Sequence, residues 1–240
     1  MLVRSLLAVR PSFVRFLSAV GEYKRVACVP WRMDSDEFVE AVRKENETAL
    51  SRLGSSKSLY AATGGELEPD EVFRAAADSE HAASETFTRW ADSEDDEDAS
   101  DLFASNAETE TKHYETVSGK MDDHEPGDIP ALHEYLRGLD DTRERLGGFV
   151  GRTLASEKSK TQLTGFFTGQ ADPKSASLFR DLKGDLEEQL DGAVELLAER
   201  CNSDEEWEQA KEAANGAITA AYEEYTESLE SMGVNPKPVC

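Results

Sequence analysis

Apolar residues recur three to four positions apart across almost all of residues 34–231, and that spacing constrains the fold more than any other feature. It is the period of a helix with one buried face. No run shows the strict alternation of a half-buried strand. The spacing predicts helices over 34–63, 69–91, 98–121, 129–168, 173–200 and 204–231. "TGGELEP", "DSEDDED", "GKMDDHEPGD", "GQADP" and "CNSD" separate them. Several boundaries carry their own chemistry. Asp172 followed by Pro173 offers an N-cap and a proline at the first helical position. Ser203 with Glu206 makes a capping box. Gly64-Gly65 and Gly169 end helices at low cost. Short connections between long helices make neighbours antiparallel, so the expected fold is an all-α antiparallel helical bundle. The run "DSEDDED" reads as a solvated loop, and the terminal "NPKPVC" as a free tail.

Charge then excludes whole classes of function. The 240 residues carry 26 Lys+Arg against 50 Asp+Glu, a formal net charge of −24. Such a surface repels phosphates and acidic lipid, so neither nucleic acid nor membrane is an expected partner. No stretch approaches the roughly 18 apolar residues of a membrane span. Only 11 of the cations are lysine. Acid-rich and lysine-poor together suggest a cytoplasmic protein of a salt-loving archaeon, where molar salt screens self-repulsion. Cys28, Cys201 and Cys240 share no CxxC spacing, which argues against a zinc module or a disulfide framework and fits a reducing cytoplasm. Residues 1–32 differ from the rest. They hold six cations and one acid, Glu22, and resemble a signal or transit peptide. Met33 begins "MDSDEF", in keeping with the acidic body, and is the expected true start; a targeting helix is the alternative.

The informative positions are polar residues lying on the apolar stripes. The first stripe runs Phe38, Val42, Glu45, Ala49, Leu53. The second runs Phe73, Ala76, Glu80, Ala83, Phe87, Trp90, and the third Leu102, Asn106, Glu110, His113, Val117. The fourth runs Leu132, Leu136, Leu139, Arg143, Leu146, Val150. A lone buried carboxylate costs several kcal/mol unless it is paired or bound to metal. Mirror positions across the turns bring Glu45, Glu80, Glu110 and His113 toward one layer, with Arg143 near it as a charge partner. Spacing alone is weak support for a site. Acids fill 50 of 240 positions, so four histidines give about one acid three residues earlier by chance, and the chain has two, Glu110/His113 and Asp78/His81. Placement on the stripe is what favours Glu110/His113.

"ETKHYE" resembles the E-x-x-H-Y segment of rubrerythrin and other ferritin-like proteins, and "EHAASETF" resembles the family's other helix with Ala83 where histidine is expected. Shifting that second alignment by two matches Asp78 and His81 instead, and Glu45 resembles the first-helix glutamate. The resemblance covers roughly residues 34–155. It implies a ferritin-like four-helix bundle over 33–168 and a di-metal carboxylate site of iron or manganese. The ligands would be Glu45, Glu80, Glu110 and His113, with Asp78 and His81 secondary. The implied chemistry is peroxide or dioxygen reduction, or iron handling, with an unidentified redox partner. The chain departs from the pattern in three ways. It lacks a second E-x-x-H on a stripe, the connection between the second and third helices is too short for the family's long crossover, and no CxxC pair is present. The alternative is therefore a non-catalytic bundle of the same ancestry in which Arg143 neutralises the carboxylates and the helices serve a partner. Residues 169–240 form a C-terminal helical hairpin and tail, which either covers the bundle or makes a homodimer. No nucleophile constellation or phosphate-binding glycine loop is present.

Overall fold

A computed structural model describes residues 33–237; the basic leader 1–32 and the expectations attached to it lie outside the described residues. The described residues form nine helices and no strand. In order these are α1 (Ser35–Glu45), α2 (Glu47–Leu53), α3 (Ser56–Ala62), α4 (Pro69–Ser93) and α5 (Glu97–Ser118). There follow α6 (Ala131–Arg137), α7 (Thr142–Gly169), α8 (Pro173–Arg200) and α9 (Asp204–Ser231). The long helices pack as an antiparallel bundle. α4 and α5 form one hairpin, and α7 runs between α8 and α9. No described helix is long and apolar enough to cross a membrane.

Helix ends follow the capping chemistry of the sequence. Asp34 and Glu37 form a capping box on α1, with Glu37 N–H donating to Asp34 at 2.9 Å. Asp172 accepts from Lys174 and Ser175 at the start of α8, and Ser203 accepts from Glu206 at the start of α9. Two expected helices are interrupted. The span 34–63 breaks at Asn46 and Gly54. Asn46 is buried, and its amide donates to the Val42 carbonyl (2.9 Å) and to Asn215 on α9 (2.6 Å), so its side chain competes with helix continuation. The span 129–168 breaks after Gly138, and Asp141 restarts α7 by accepting the Arg143 N–H at 2.9 Å.

Two segments expected to be solvated are tied down. In "DSEDDED", the Glu94 side chain is 3% exposed and pairs with Arg145 at 2.9 Å, while Asp96 caps α5 and receives Arg200 from α8 at 2.7 Å. The tail is pinned as far as Lys237, where Lys57 Nζ donates to the carbonyls of Asn235 (2.7 Å) and Lys237 (3.1 Å).

The core is in two parts. One apolar cluster holds Phe87, Trp90, Phe103, Phe149 and Leu154, and the other holds Phe73, Val117, Leu163, Phe167 and Phe179. On α4 the two meet between Ala77 and Ala83, with Glu80 between them. On α5 they meet between Ala107 and Val117, with Glu110 and His113 between them. A polar layer therefore divides the bundle across its long axis.

α7 and α9 cross at unusually short range. A Cβ built on Gly147 would overlap the Ala210 backbone, and one on Gly151 would overlap the Ala214 backbone. The glycines let the two helix backbones touch, which fixes the depth at which α7 sits. Backbone cannot yield as a flexible side chain can. Gly151→Ala should therefore destabilise the protein by about 2 kcal/mol or more despite alanine's higher helix propensity. Denaturant unfolding followed by circular dichroism measures this, and an unchanged midpoint would contradict the close packing.

Candidate metal centre

Four helices supply the polar layer. α4 gives Glu80, α5 gives Glu110 and His113, α7 gives Arg152 and Lys160, and α8 gives Asp185 and Gln189. Glu80, Glu110, His113, Arg152 and Lys160 are each 4% exposed or less. Charges so far from water survive only in pairs, and these are paired. Lys160 Nζ donates to Glu80 Oε1 at 2.6 Å. Arg152 lies 3.0 Å from Glu110 Oε1 and donates to Gln189 Oε1 at 2.9 Å. The Gln189 amide donates back to Glu110 Oε1 at 2.7 Å. The Arg152 guanidinium sits 5.5 Å from the centre of the Phe87 ring, a cation–π contact that supports its burial.

These bonds use one oxygen of each glutamate. The other oxygens, Glu80 Oε2 and Glu110 Oε2, are buried and have no hydrogen-bond partner. His113 Nδ1 is another such atom, 3.6 Å from Glu110 Oε2 and 3.8 Å from Glu80 Oε2, and Arg152 Nε and Nη2 in the same layer are also without a hydrogen-bond partner. The three ligand atoms lie within 4.8 Å of one another, so Glu80, Glu110 and His113 can hold a metal ion. The other imidazole nitrogen, Nε2, is 2.8 Å from Asp185 Oδ2. Donation from Nε2–H to that carboxylate leaves the lone pair on Nδ1, facing the two glutamates. A carboxylate behind the ring in this way is the usual outer partner of a metal-ligating histidine.

The electrostatics favour positive charge at this point. Burial works against an imidazolium at His113, but Glu110 and Glu80 outweigh it and push its pKa up to about 9. Burial likewise raises the Glu110 carboxyl, and Arg152, His113 and Lys160 outweigh it, holding the group well below the usual carboxylate range.

Three of the residues expected at the site meet as expected: Glu80, Glu110 and His113. The others lie elsewhere. Glu45 is exposed at the end of α1, where Lys211 (2.9 Å) and Asn215 (2.8 Å) donate to it. The break at Asn46 ends the helix there and turns Glu45 off the buried face. Arg143 pairs with Asp141 and Glu206 near the bundle end and not with Glu80 or Glu110. Asp78 accepts from His124 (3.1 Å) and the Gly127 N–H (2.8 Å), and so anchors the α5–α6 connection. His81 stacks edge-on with Tyr114 at 5.1 Å. The residues that sequence reasoning missed are Arg152, Lys160, Asp185 and Gln189. A signal for two of them existed: Phe149, Arg152, Ser156, Lys160, Leu163 and Phe167 form a second stripe at helical spacing, on another face from Leu146 and Val150.

No protein-family model, curated protein or solved structure matches this chain.

One more histidine is buried near this layer. His133 on α6 is 1% exposed and lies 3.1 Å from Thr86 Oγ1. That hydroxyl gives its proton to the Ala82 carbonyl (2.7 Å), so the His133 Nδ1–H is the donor. Burial, then the Arg152 charge, pushes the His133 pKa down to about 3. An unfolded histidine takes up a proton near pH 6.5, whereas the folded one resists until about 3. This contribution to stability is therefore intact above about pH 6.5 and is lost as pH falls toward 3. His133→Gln should flatten the dependence of unfolding free energy on pH in that window. Parallel slopes for the two proteins between pH 6.5 and 4 would contradict the assignment.

Proposed function

We propose that this protein holds one divalent transition-metal ion, manganese or iron, between Glu80 Oε2, Glu110 Oε2 and His113 Nδ1. The carrying observation is that these three buried atoms face one another without hydrogen-bond partners. Two carboxylate oxygens and an imidazole nitrogen suit iron or manganese. Lys160, Arg152 and Gln189 hold the outer oxygens of the glutamates, and Asp185 holds the far side of His113, so the ligands are oriented in advance.

The two-ion site of ferritin-like proteins does not fit. Glu45 is at the surface, and no second histidine joins the three-residue group. Lys160 and Arg152 press on the glutamate oxygens that a second ion would require. Their fixed positive charges take the electrostatic part of that ion. The resemblance to rubrerythrin supports dioxygen or peroxide reduction as the chemistry a bound ion would supply, with electrons from an external donor.

Charge balance supports a second reading. Glu80, Glu110 and Asp185 supply three negative charges, and Arg152, Lys160 and protonated His113 supply three positive ones. Such a layer is neutral without metal and would suit a non-catalytic bundle that acts through a partner.

Metal analysis of protein purified without an affinity tag separates the two. The first reading expects one manganese or iron per chain, lost in His113→Ala and retained in Glu45→Gln, His81→Ala and Asp78→Asn. No metal in the wild type, with unfolding unaffected by chelator, would establish the second.

The buried pairs themselves also yield an expectation. Lys160→Met leaves Glu80 charged and uncompensated, so it should cost the metal-free protein about 3–5 kcal/mol. Manganese should restore part of that loss, because the ion supplies the missing positive charge. Arg143→Leu, which removes only a partly exposed pair at the bundle end, should cost under about 1 kcal/mol with or without metal. A Lys160→Met protein as stable as wild type without metal would show that Glu80 is not charged in the fold.

A further inference from the structure

A second site adjoins the polar layer without sharing its charged residues. A cavity of about 430 Å³ opens among α3, α4, α7, α9 and the segment leading into α6. Its size is that of a small-molecule site. None of Glu80, Glu110, His113, Arg152 or Lys160 lines it. Leu59, Leu132 and Tyr225 provide an apolar wall.

The carboxylates in this cavity meet no opposite charge in its lining. Three carboxylates line it, those of Asp78, Asp128 and Glu224, and no lysine or arginine does among the described residues. The hydroxyl of Ser228 gives its proton to the Ala61 carbonyl (2.8 Å), and that of Ser58 gives its proton to the Ser55 carbonyl (2.8 Å). The Gln162 amide donates one N–H to the Gly54 carbonyl at 2.5 Å. His133, also in the lining, donates from Nδ1 to Thr86 and keeps Nε2 as an acceptor. Those donors point into the protein, and the hydroxyls of Ser79, Ser156 and Ser159, also in the lining, can accept as well as donate, so lone pairs are offered to whatever occupies the cavity.

Glu224 is the key group. Its carboxylate accepts one hydrogen bond, from the Ala131 N–H at 3.2 Å. Burial, together with the like charges of Glu134 and Glu227, raises its pKa. Glu224 is exposed at the edge of the cavity, and a carboxylate placed there among other acids is electrostatically unsatisfied.

We propose that this cavity binds a small organic cation, an ammonium group carried on an apolar body, with the ammonium on Glu224 and the body against Leu59, Leu132 and Tyr225. An ammonium offers donors and no acceptor, which complements the lining. The apolar body gains from leaving water.

The probe is phenethylammonium, titrated into the full chain and followed by NMR chemical shifts. Comparators are phenethyl alcohol (same body, no charge), 3-phenylpropanoate (same body, negative) and methylammonium (charge without the body). Salt at about 1 M, where the Debye length is about 3 Å, screens diffuse attraction to the acidic surface. Phenethylammonium should bind at least tenfold more tightly than each comparator and shift residues around the cavity. Glu224→Gln keeps an acceptor for the Ala131 N–H and should weaken phenethylammonium at least tenfold while leaving phenethyl alcohol unchanged. Equal binding of the alcohol or the propanoate would overturn the proposal, as would methylammonium matching the probe. A folded Glu224→Gln protein with unaltered affinity for phenethylammonium would also overturn it. The wild-type comparison of cation with alcohol stands on its own if the variant fails to fold.

Discussion

The structure depends on two buried ion pairs, Glu80 with Lys160 and Glu110 with Arg152. Each joins the α4–α5 hairpin to α7, and Gln189 extends the network to α8. A buried pair is often worth little in net stability, because desolvation cancels most of the attraction. Its effect here is on register. Apolar surfaces tolerate sliding by a turn at modest cost, since one leucine is much like another. A carboxylate displaced a turn from its ammonium would be left uncompensated in an apolar core. The pairs therefore set the level at which four helices meet, and the two apolar clusters pack on either side of that level.

Most of the helical content was legible in the sequence. The expected spans 173–200 and 204–231 coincide with α8 and α9 because Asp172, Pro173 and Ser203 are caps acting through adjacent atoms. The breaks at Asn46 and Gly138 were not legible. Asn46 has no turn signal around it, and its reason to break the helix is partly a hydrogen bond to Asn215, 169 residues away in sequence. Acidic runs misled for a similar reason. Glu94 looks like one acid among many until Arg145 is seen to cover it.

The candidate site divides along the same line. Glu80, Glu110 and His113 were found because α4 and α5 form a hairpin with a short connection, and mirror symmetry across such a turn needs only counting. The same counting placed Glu45 in the layer, and it failed because it assumed one helix from 34 to 63. The positive partner was expected on α7, but at Arg143, nine residues from Arg152. Arg143 lies on the stripe of Leu146 and Val150, whereas Arg152 lies three residues past Phe149 on another face, and the stretch 145–156 of α7 is buried all round, so periodicity alone does not rank them. Depth along the helix decides. Arg143 is in the first turn of α7, where Asp141 and Glu206 are within reach, whereas Arg152 and Lys160 lie well inside the bundle.

The same arrangement explains why one bound ion is more consistent with this chain than two. A two-ion carboxylate centre carries four positive charges from metal and needs several carboxylates to match them. This layer has two fully buried carboxylates, and lysine and arginine already occupy one oxygen of each. What remains is a single gap bounded by two oxygens and one nitrogen, able to take one positive species. In the metal-free protein a proton on His113, whose pKa Glu110 and Glu80 push up to about 9, can be that species. At distances of 3.6 and 3.8 Å the imidazole is too far from the glutamate oxygens for good hydrogen bonds. A proton alone therefore leaves three buried polar atoms poorly satisfied, a cost that the fold retains although a leucine in place of His113 would remove the buried imidazole. An ion between those atoms would meet all three at once, and that difference is the physical case for metal at this layer.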